Sequence, residues 1–366
     1  MIVKIFDYQQ QYLSVESEIL GEIQRVLRSG TLILGKEVEK FEKQFSDFLG
    51  TGGHSIAVAN GTDALIICLM ALGVGRGHEV ITVANTAVPT VSAIRMAQAT
   101  PVFVDVEPTT ALMNLELIES RITPNTRAII PVHLFGNAVD MSRLLEIARR
   151  YDLAVIEDCA QANGTSINGR PVGTFGHAGA FSFYPTKNLG AFGDAGLCFT
   201  SDAELAKEMR RIRKYGFDEL HYSEREGINS RLDEIQAVVL NLKLRYLSDQ
   251  LQKRRSIAKL YLANLPKEIT PLITMAGIAH SYHLFVVRTA NRDCLRCALA
   301  GYGIQTGIHY PYPIHQMRGY EFLGYRNGSL PGTEALSKEI LSLPLYPELP
   351  KESVEYVLRS LHEIST

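Results

Sequence analysis

A chain of 366 residues with 46% hydrophobic content is too long for one small core and suits a large domain with a smaller companion. Its 37 Lys and Arg against 39 Asp and Glu leave a formal net charge of −2. That balance offers no basic field for nucleic acid and none for an anionic membrane surface, so small-molecule chemistry is the default.

The first segment, MIVKIFDYQQ, has its apolar stretch broken by Lys4 and Asp7 and lacks the hydrophobic region and cleavage site of a signal peptide. No run of about 18 apolar residues follows, so no transmembrane helix is expected and a cytoplasmic location fits. From there, short β-branched runs alternate with helical patterns. Residues 55–60, 79–85, 100–106, 126–133 and 153–159 read as strands; 61–72, 87–98, 114–122 and 140–151 read as the intervening helices. Such alternation predicts an α/β fold with a mostly parallel sheet covered on both faces. Residues 178–183 and 195–200 supply two more strands, and 234–265 long helices that lead out of the sheet. The remainder mixes a strand at 282–290 with helices at 293–301 and 352–363, which places a large domain with an N-terminal helical segment over 1–250 and a smaller α+β domain over 251–366.

Cys68, Cys159, Cys198, Cys294 and Cys297 are odd in number and scattered, which fits reduced thiols better than a disulfide framework. Cys294 and Cys297 form a lone C-x-x-C inside the helical DCLRCALA, with no second pair, so no metal is expected.

In such a sheet, ligands gather beyond the carboxyl ends of the strands, so the residues after each strand matter most. Gly61-Thr62-Asp63 opens a helix whose free N–H groups can receive a phosphate, although Thr and Asp also serve there as ordinary caps. LAVIEDCAQANG ends a strand at Glu157-Asp158, followed by Gln161. A carboxylate at that edge can fix a cationic ring nitrogen, bind a ribose or cap a turn. Neither GxGxxG nor GxxxxGK[ST] occurs. In FSFYPTKNLGAFGD, Lys187 is the only Asp, Glu, Lys or Arg between Arg170 and Asp194, and is either an exposed loop residue or a chemically used amine. Pyridoxal phosphate would use all three features: an amine for its aldehyde, an anion for its pyridinium nitrogen and oriented donors for its phosphate. An apolar pocket would also favour the neutral, nucleophilic form of the lysine.

Taken together, LILGKEVEKFEKQFSDFLG, VANGTDAL, VFVDVEPTT, AIIPVHLFGN, VIEDCAQANG, FSFYPTKNLGAFGDAG, GINSRLDEIQAV and GIHYPYPIH resemble, in order and over essentially the whole chain, the DegT/DnrJ/EryC1/StrS sugar-nucleotide aminotransferases. The resemblance implies pyridoxal-phosphate fold type I, aspartate-aminotransferase-like, with a large, mostly parallel mixed sheet and a smaller α+β C-terminal domain. It implies that Lys187 forms the Schiff base, Asp158 pairs with the pyridine nitrogen and Gln161 packs near the phenolic oxygen. It further implies that Gly61, Thr62 and Ser182 bind the phosphate, joined by Asn229 from the neighbouring subunit of a homodimer with shared active sites. His309, Tyr310 and Tyr184 fall on the substrate side. The wording around Lys187 resembles the branch that aminates carbon 3 of a nucleotide-linked deoxysugar, with carbon 4 as the alternative. The donor would be L-glutamate, leaving 2-oxoglutarate and the cofactor as pyridoxamine phosphate. Family dehydratases have histidine in place of the lysine; here the residue is Lys187, and its retention also speaks against a non-catalytic regulatory relative. Two departures are Tyr312 and Ala87, the latter standing where many members have an aromatic residue over the ring. Either another side chain covers the ring or the space admits a substrate group.

Overall fold

The computed structural model describes residues 1–365. Its centre is a seven-stranded sheet of β1 (His54–Val58), β2 (Glu79–Val83), β3 (Thr100–Val104), β4 (Thr126–Ile129), β5 (Ala154–Asp158), β6 (Ala178–Ser182) and β7 (Gly196–Thr200), in the order β1-β7-β6-β5-β4-β2-β3. Every neighbouring pair is parallel except the two made by β7, which runs antiparallel to β1 and β6. β6 and β7 are buried along their whole length, as expected of strands covered on both faces.

Each face is sealed differently. Helix Gly61–Ala71 is apolar on all sides because it lies in a core with Ile56, Ile94, Ile156 and Met209. On the other face, helix Lys36–Leu49 drives Phe41 and Phe45 against strand aromatics, with Phe41–Phe183 and Phe45–Phe181 meeting edge to face at 5.2 and 5.1 Å.

All seven strands expected for the large sheet are present, each shorter than expected. The segment expected to be paired through 133 leaves regular pairing after Ile129, because Pro131 has no N–H for the ladder. The helix expected over 114–122 is instead two single 3-10 turns, Leu115–Leu117 and Glu119–Arg121. Pro124 disfavours helical backbone at Thr123, so the stretch is too short for α-helical turns to accumulate. Helices at Ala203–Ile212 and Pro331–Glu339 add to the expected set.

A second, antiparallel sheet joins Thr270–Pro271, Phe285–Arg288 and Ile340–Leu343. Helices Leu247–Asn264, Arg292–Gly301 and Lys351–Ser365 supply Tyr261, Leu299 and Leu361 to its core. The expected boundary at 250/251 lies inside helix Leu247–Asn264, whose Leu247 and Leu251 pack with the large sheet and whose Ile257 and Tyr261 pack with the small one. No helix among the described residues is long and apolar enough to cross a membrane.

Glu234 ties the N-terminal segment to this frame. Its buried carboxylate accepts the N–H groups of Gly35 at 2.8 Å, Val38 at 2.9 Å and Glu37 at 3.0 Å, capping helix Lys36–Leu49 from the start of helix Glu234–Leu244. Glu234→Ala orphans three donors at once and should lower unfolding free energy by about 2–4 kcal/mol in urea titrations, with Glu234→Gln intermediate. An unchanged unfolding midpoint for Glu234→Ala would remove this capping role.

Candidate active site

The strand ends surround a cavity of ≈ 250 Å³. Seven of the ten residues singled out from the sequence line it: Gly61, Thr62, Asp158, Gln161, Ser182, Tyr184 and Lys187. Lys187 arrives there because β6 ends at Ser182 and the chain folds back sharply. Its N–H donates to Tyr184 O at 2.8 Å, and Ala191 N–H donates to Phe183 O at 2.7 Å. A Cβ on Gly190 would sit 2.4 Å from Pro185 O, so the turn requires glycine. Around it, Asn188 Nδ2 donates to Ser281 O at 3.0 Å, Phe192 N–H to Gln236 Oε1 at 2.9 Å and the buried Lys243 Nζ to Gly190 O at 2.5 Å.

The Lys187 ammonium makes no hydrogen bond or ion pair among the described residues. Burial lowers its pKa from the ordinary 10.5 to about 8, against the pull of Asp158, which raises it. The residue is half-buried and lines the cavity. An amine so placed is a nucleophile near neutral pH.

Asp158, the last residue of β5, is 4% exposed. Its Oδ2 accepts from Thr90 Oγ1 at 2.8 Å and its Oδ1 from Ala160 N–H at 3.1 Å. Burial pushes its carboxyl up; Thr90, Ala160 and the charges of Lys187 and His133 pull it down. Gln161 is locked from two sides: its Oε1 accepts Phe135 N–H at 2.8 Å, and its Nε2 donates to Tyr310 OH at 2.8 Å.

Also lining the cavity, Gly61 and Thr62 begin an 11-residue helix, with Asn60 capping Asp63 N–H at 2.9 Å. A Cβ on Gly61 would lie 2.7 Å from Ser182 Cβ, so glycine is needed to bring these N–H groups beside the Ser182 hydroxyl. The donor set of helix N-terminus and two hydroxyls suits a phosphate, and the Asp158 carboxylate and Lys187 amine suit a pyridine nitrogen and an aldehyde. The residues present therefore fit pyridoxal phosphate.

Three of the residues singled out do not line the cavity. Tyr310 reaches it through Gln161. His309 hydrogen bonds through Nδ1 with Ser342 Oγ at 2.8 Å, and burial with the nearby Lys187 charge lowers its pKa to about 4, so the imidazole is neutral at working pH. Asn229 is exposed in an isolated bridge with Lys214, outside this chain's cavity. Ala87 lines the wall beside Thr86 and Pro89, and Tyr184 is the one aromatic lining residue among those described.

Thr86 and Thr90 also line the cavity, and His283 lies near enough to feel the Lys187 charge. His283 is 8% exposed with an unpartnered Nδ1, and its pKa is held well below the ordinary value by burial and by the Lys187, Arg254 and His309 charges. The threonines follow a strand end, which is a usable signal; His283 has none, since its approach to Lys187 comes only from folding. The cluster of His133, Glu157 and Cys159 is buried beneath the site. Glu157 accepts N–H groups from Gly173, Phe175 and Gly176 besides His133 Nε2, so its oxygens already have partners. Cys294 and Cys297 are exposed on one helix, and all five cysteines are free.

The fold and this donor set define a pyridoxal-phosphate-dependent aminotransferase. Residues 14–362 match the DegT/DnrJ/EryC1/StrS aminotransferase family, and the chain belongs to it. It is 45% identical, over all of both chains, to dTDP-3-amino-3,4,6-trideoxy-alpha-D-glucose transaminase of Micromonospora megalomicea subsp. nigra. It is 42% identical, over 99% of each chain, to dTDP-3-amino-3,6-dideoxy-alpha-D-galactopyranose transaminase of Aneurinibacillus thermoaerophilus. Among solved structures, S. venezuelae DesV in complex with a ketimine intermediate superposes with TM-score 0.96 at 40% identity, covering 99% of this chain and 98% of that one. NtdA from Bacillus subtilis with bound cofactor PMP gives TM-score 0.88 at 32% identity, covering 96% and 82%.

In the cofactor-free protein, the Lys187 amine is expected to become neutral through about pH 8, whereas an ordinary lysine stays protonated to 10.5. Amine-directed labelling followed by peptide mass spectrometry should show Lys187 modification rising through pH 8. Asp158→Asn should move that rise to lower pH, since it removes the charge that holds the proton. A midpoint near 10 would contradict the effect of burial.

Proposed function

We propose that this protein transfers the amino group of L-glutamate to carbon 3 of a dTDP-linked deoxyhexose. The observation that carries this reading is the pairing of a lone, desolvated Lys187 amine with the buried Asp158 carboxylate in one cavity that a helix N-terminus able to hold a phosphate also lines. The carbon-3 position and the nucleotide are supported by relatives at 45% and 42% identity whose names specify dTDP-3-amino sugars. When bound, the cofactor supplies an electron sink for the carbanion formed at the amino-bearing carbon.

Lys187 would hold the cofactor between turnovers, and its Nζ, once free, would carry the proton to and from the substrate carbon. Asp158 keeps the ring nitrogen protonated. Gln161, fixed by Phe135 N–H and Tyr310 OH, would stand beside the bound ring, and Gly61, Thr62 and Ser182 would hold the phosphate. His309, neutral beside Ser342, and Tyr310, which reaches the cavity through Gln161, are assigned to the substrate side together with Tyr184, the exposed aromatic at the cavity wall. The space at Ala87 is left for a substrate group.

Mixing the loaded enzyme with glutamate should bleach the cofactor's visible absorbance, and adding a dTDP-linked 3-keto-6-deoxyhexose should restore it with formation of amino sugar. Lys187→Ala and Asp158→Asn should each slow this exchange by about 10²–10⁴-fold. A panel of dTDP-, UDP- and GDP-linked 3- and 4-ketosugars checks the assignment; preference for a 4-ketosugar would overturn the position, and no bleaching with glutamate would overturn the donor.

Asn229, exposed and outside its own chain's cavity, is proposed to complete the phosphate site of a partner in a homodimer. Mixed Lys187→Ala and Asn229→Ala chains should then form heterodimers with one intact site and regain part of the activity. Tagged heterodimers that regain none would place Asn229 outside the site.

A further inference from the structure

Thr90 is the third residue of helix Val88–Met96, a position where a threonine hydroxyl commonly serves its own helix. Here it does not: its Oγ1 donates at 2.8 Å to the Oδ2 of Asp158, 68 positions along the chain. Thr86 Oγ1 lies 3.0 Å from Thr90 Oγ1. A hydroxyl has one proton and two lone pairs, so Thr90, having given its proton to the carboxylate, must accept from Thr86. The chain therefore has a direction, Thr86 to Thr90 to Asp158. Its members are 3%, 1% and 4% exposed, and all three line the cavity. Because Thr90 already points its proton at Oδ2, a proton on Oδ2 would collide with it unless Thr90 turned its own hydrogen elsewhere, so this link favours the carboxylate.

We propose that Thr90, oriented by Thr86, is a positioning residue that holds Asp158 as a carboxylate with Oδ2 pinned, leaving it ready to pair with a protonated ring nitrogen. The consequence for catalysis rests on the role proposed above for Asp158; the effect on Asp158 itself does not. The groups facing this carboxyl are Lys187 from the turn after β6, His133 from the segment after β4, Tyr310 from the small-sheet side and the adjacent Cys159. Against the upward push of burial, the Thr90 hydrogen bond is the largest opposing influence, ahead of Ala160 N–H and the Lys187 and His133 charges. The N-terminal turn of helix Val88–Met96 presents its positive end on the same side.

Infrared difference spectra of the cofactor-free protein, with Asp158→Asn as the subtraction reference, read the protonation of Asp158 directly. Thr90→Val, similar in volume but without the hydroxyl, should raise its titration midpoint by about 1–2 pH units, the equivalent of one hydrogen bond to a charged group. Thr90→Ser should titrate like the parent protein, and Thr86→Val should fall between. In the loaded enzyme, Thr90→Val should slow the glutamate half-reaction about tenfold or more with little change in glutamate KM, rescued by Thr90→Ser. A Thr90→Val midpoint equal to that of the parent overturns the inference, and if that variant does not fold, an unshifted Thr86→Val midpoint does so. A shifted midpoint with an unchanged half-reaction sustains the Thr90 assignment and overturns the role proposed for Asp158.

Discussion

Asp158 and Lys187 are opposite charges withdrawn from water near the ends of two adjacent parallel strands, and the poise of the site depends on that shared desolvation. Strand register sets the arrangement, since Ala180 of β6 stands directly beside Asp158 of β5 and the turn after β6 brings Lys187 back over the strand ends. Burial works against both charges, raising the acid and lowering the amine, while their attraction opposes it in each. Water admitted to the cavity would weaken both effects, which explains why so many polar contacts around it are used to hold backbone rather than to reach solvent.

Those contacts come from remote parts of the chain. Helix Glu234–Leu244 grips the Lys187 loop at two points, Gln236 on Phe192 and the buried Lys243 on Gly190, and Lys243 also meets Gln11 of the N-terminal segment at 2.9 Å. Asn163 and Asn188 stitch the loops after β5 and β6 to each other and to Ser281. The small sheet enters through Ser342 and His309, and through Tyr310 on Gln161. Asp105 in turn fastens the start of helix Pro331–Glu339 to the large unit through Gly332 and Thr333. Elements from both sheets thus share the task of fixing one lysine turn and one strand-end carboxylate.

Much of this was legible in the sequence because it is local. The alternation of β-branched runs and helical patterns marks all seven strands of the large sheet, and the three strand-end signals at Gly61, Asp158 and Lys187 meet in one cavity. Errors arose where a local cue was overruled: the apolar spacing of 114–122 resembles a helix, yet Pro124 leaves it no room to propagate. The pairing of β7 against its neighbours is not visible in composition, because an antiparallel buried strand and a parallel one have the same apolar run.

By itself, the sequence determined the residue types available for chemistry and their attachment to strand ends, since periodicity and turn chemistry are properties of near neighbours along the chain. It also isolated Lys187, because an uncharged stretch around one amine is a fact of order alone. Only the tertiary structure decided that Thr90 donates to Asp158, that His309 is neutral beside Ser342, that His283 approaches Lys187 and that Asn229 is exposed and lies outside its own chain's cavity. Hydrogen-bond partnership and desolvation depend on distances between segments far apart in the chain, and those distances exist only once the sheet has formed and its loops have closed over the strand ends.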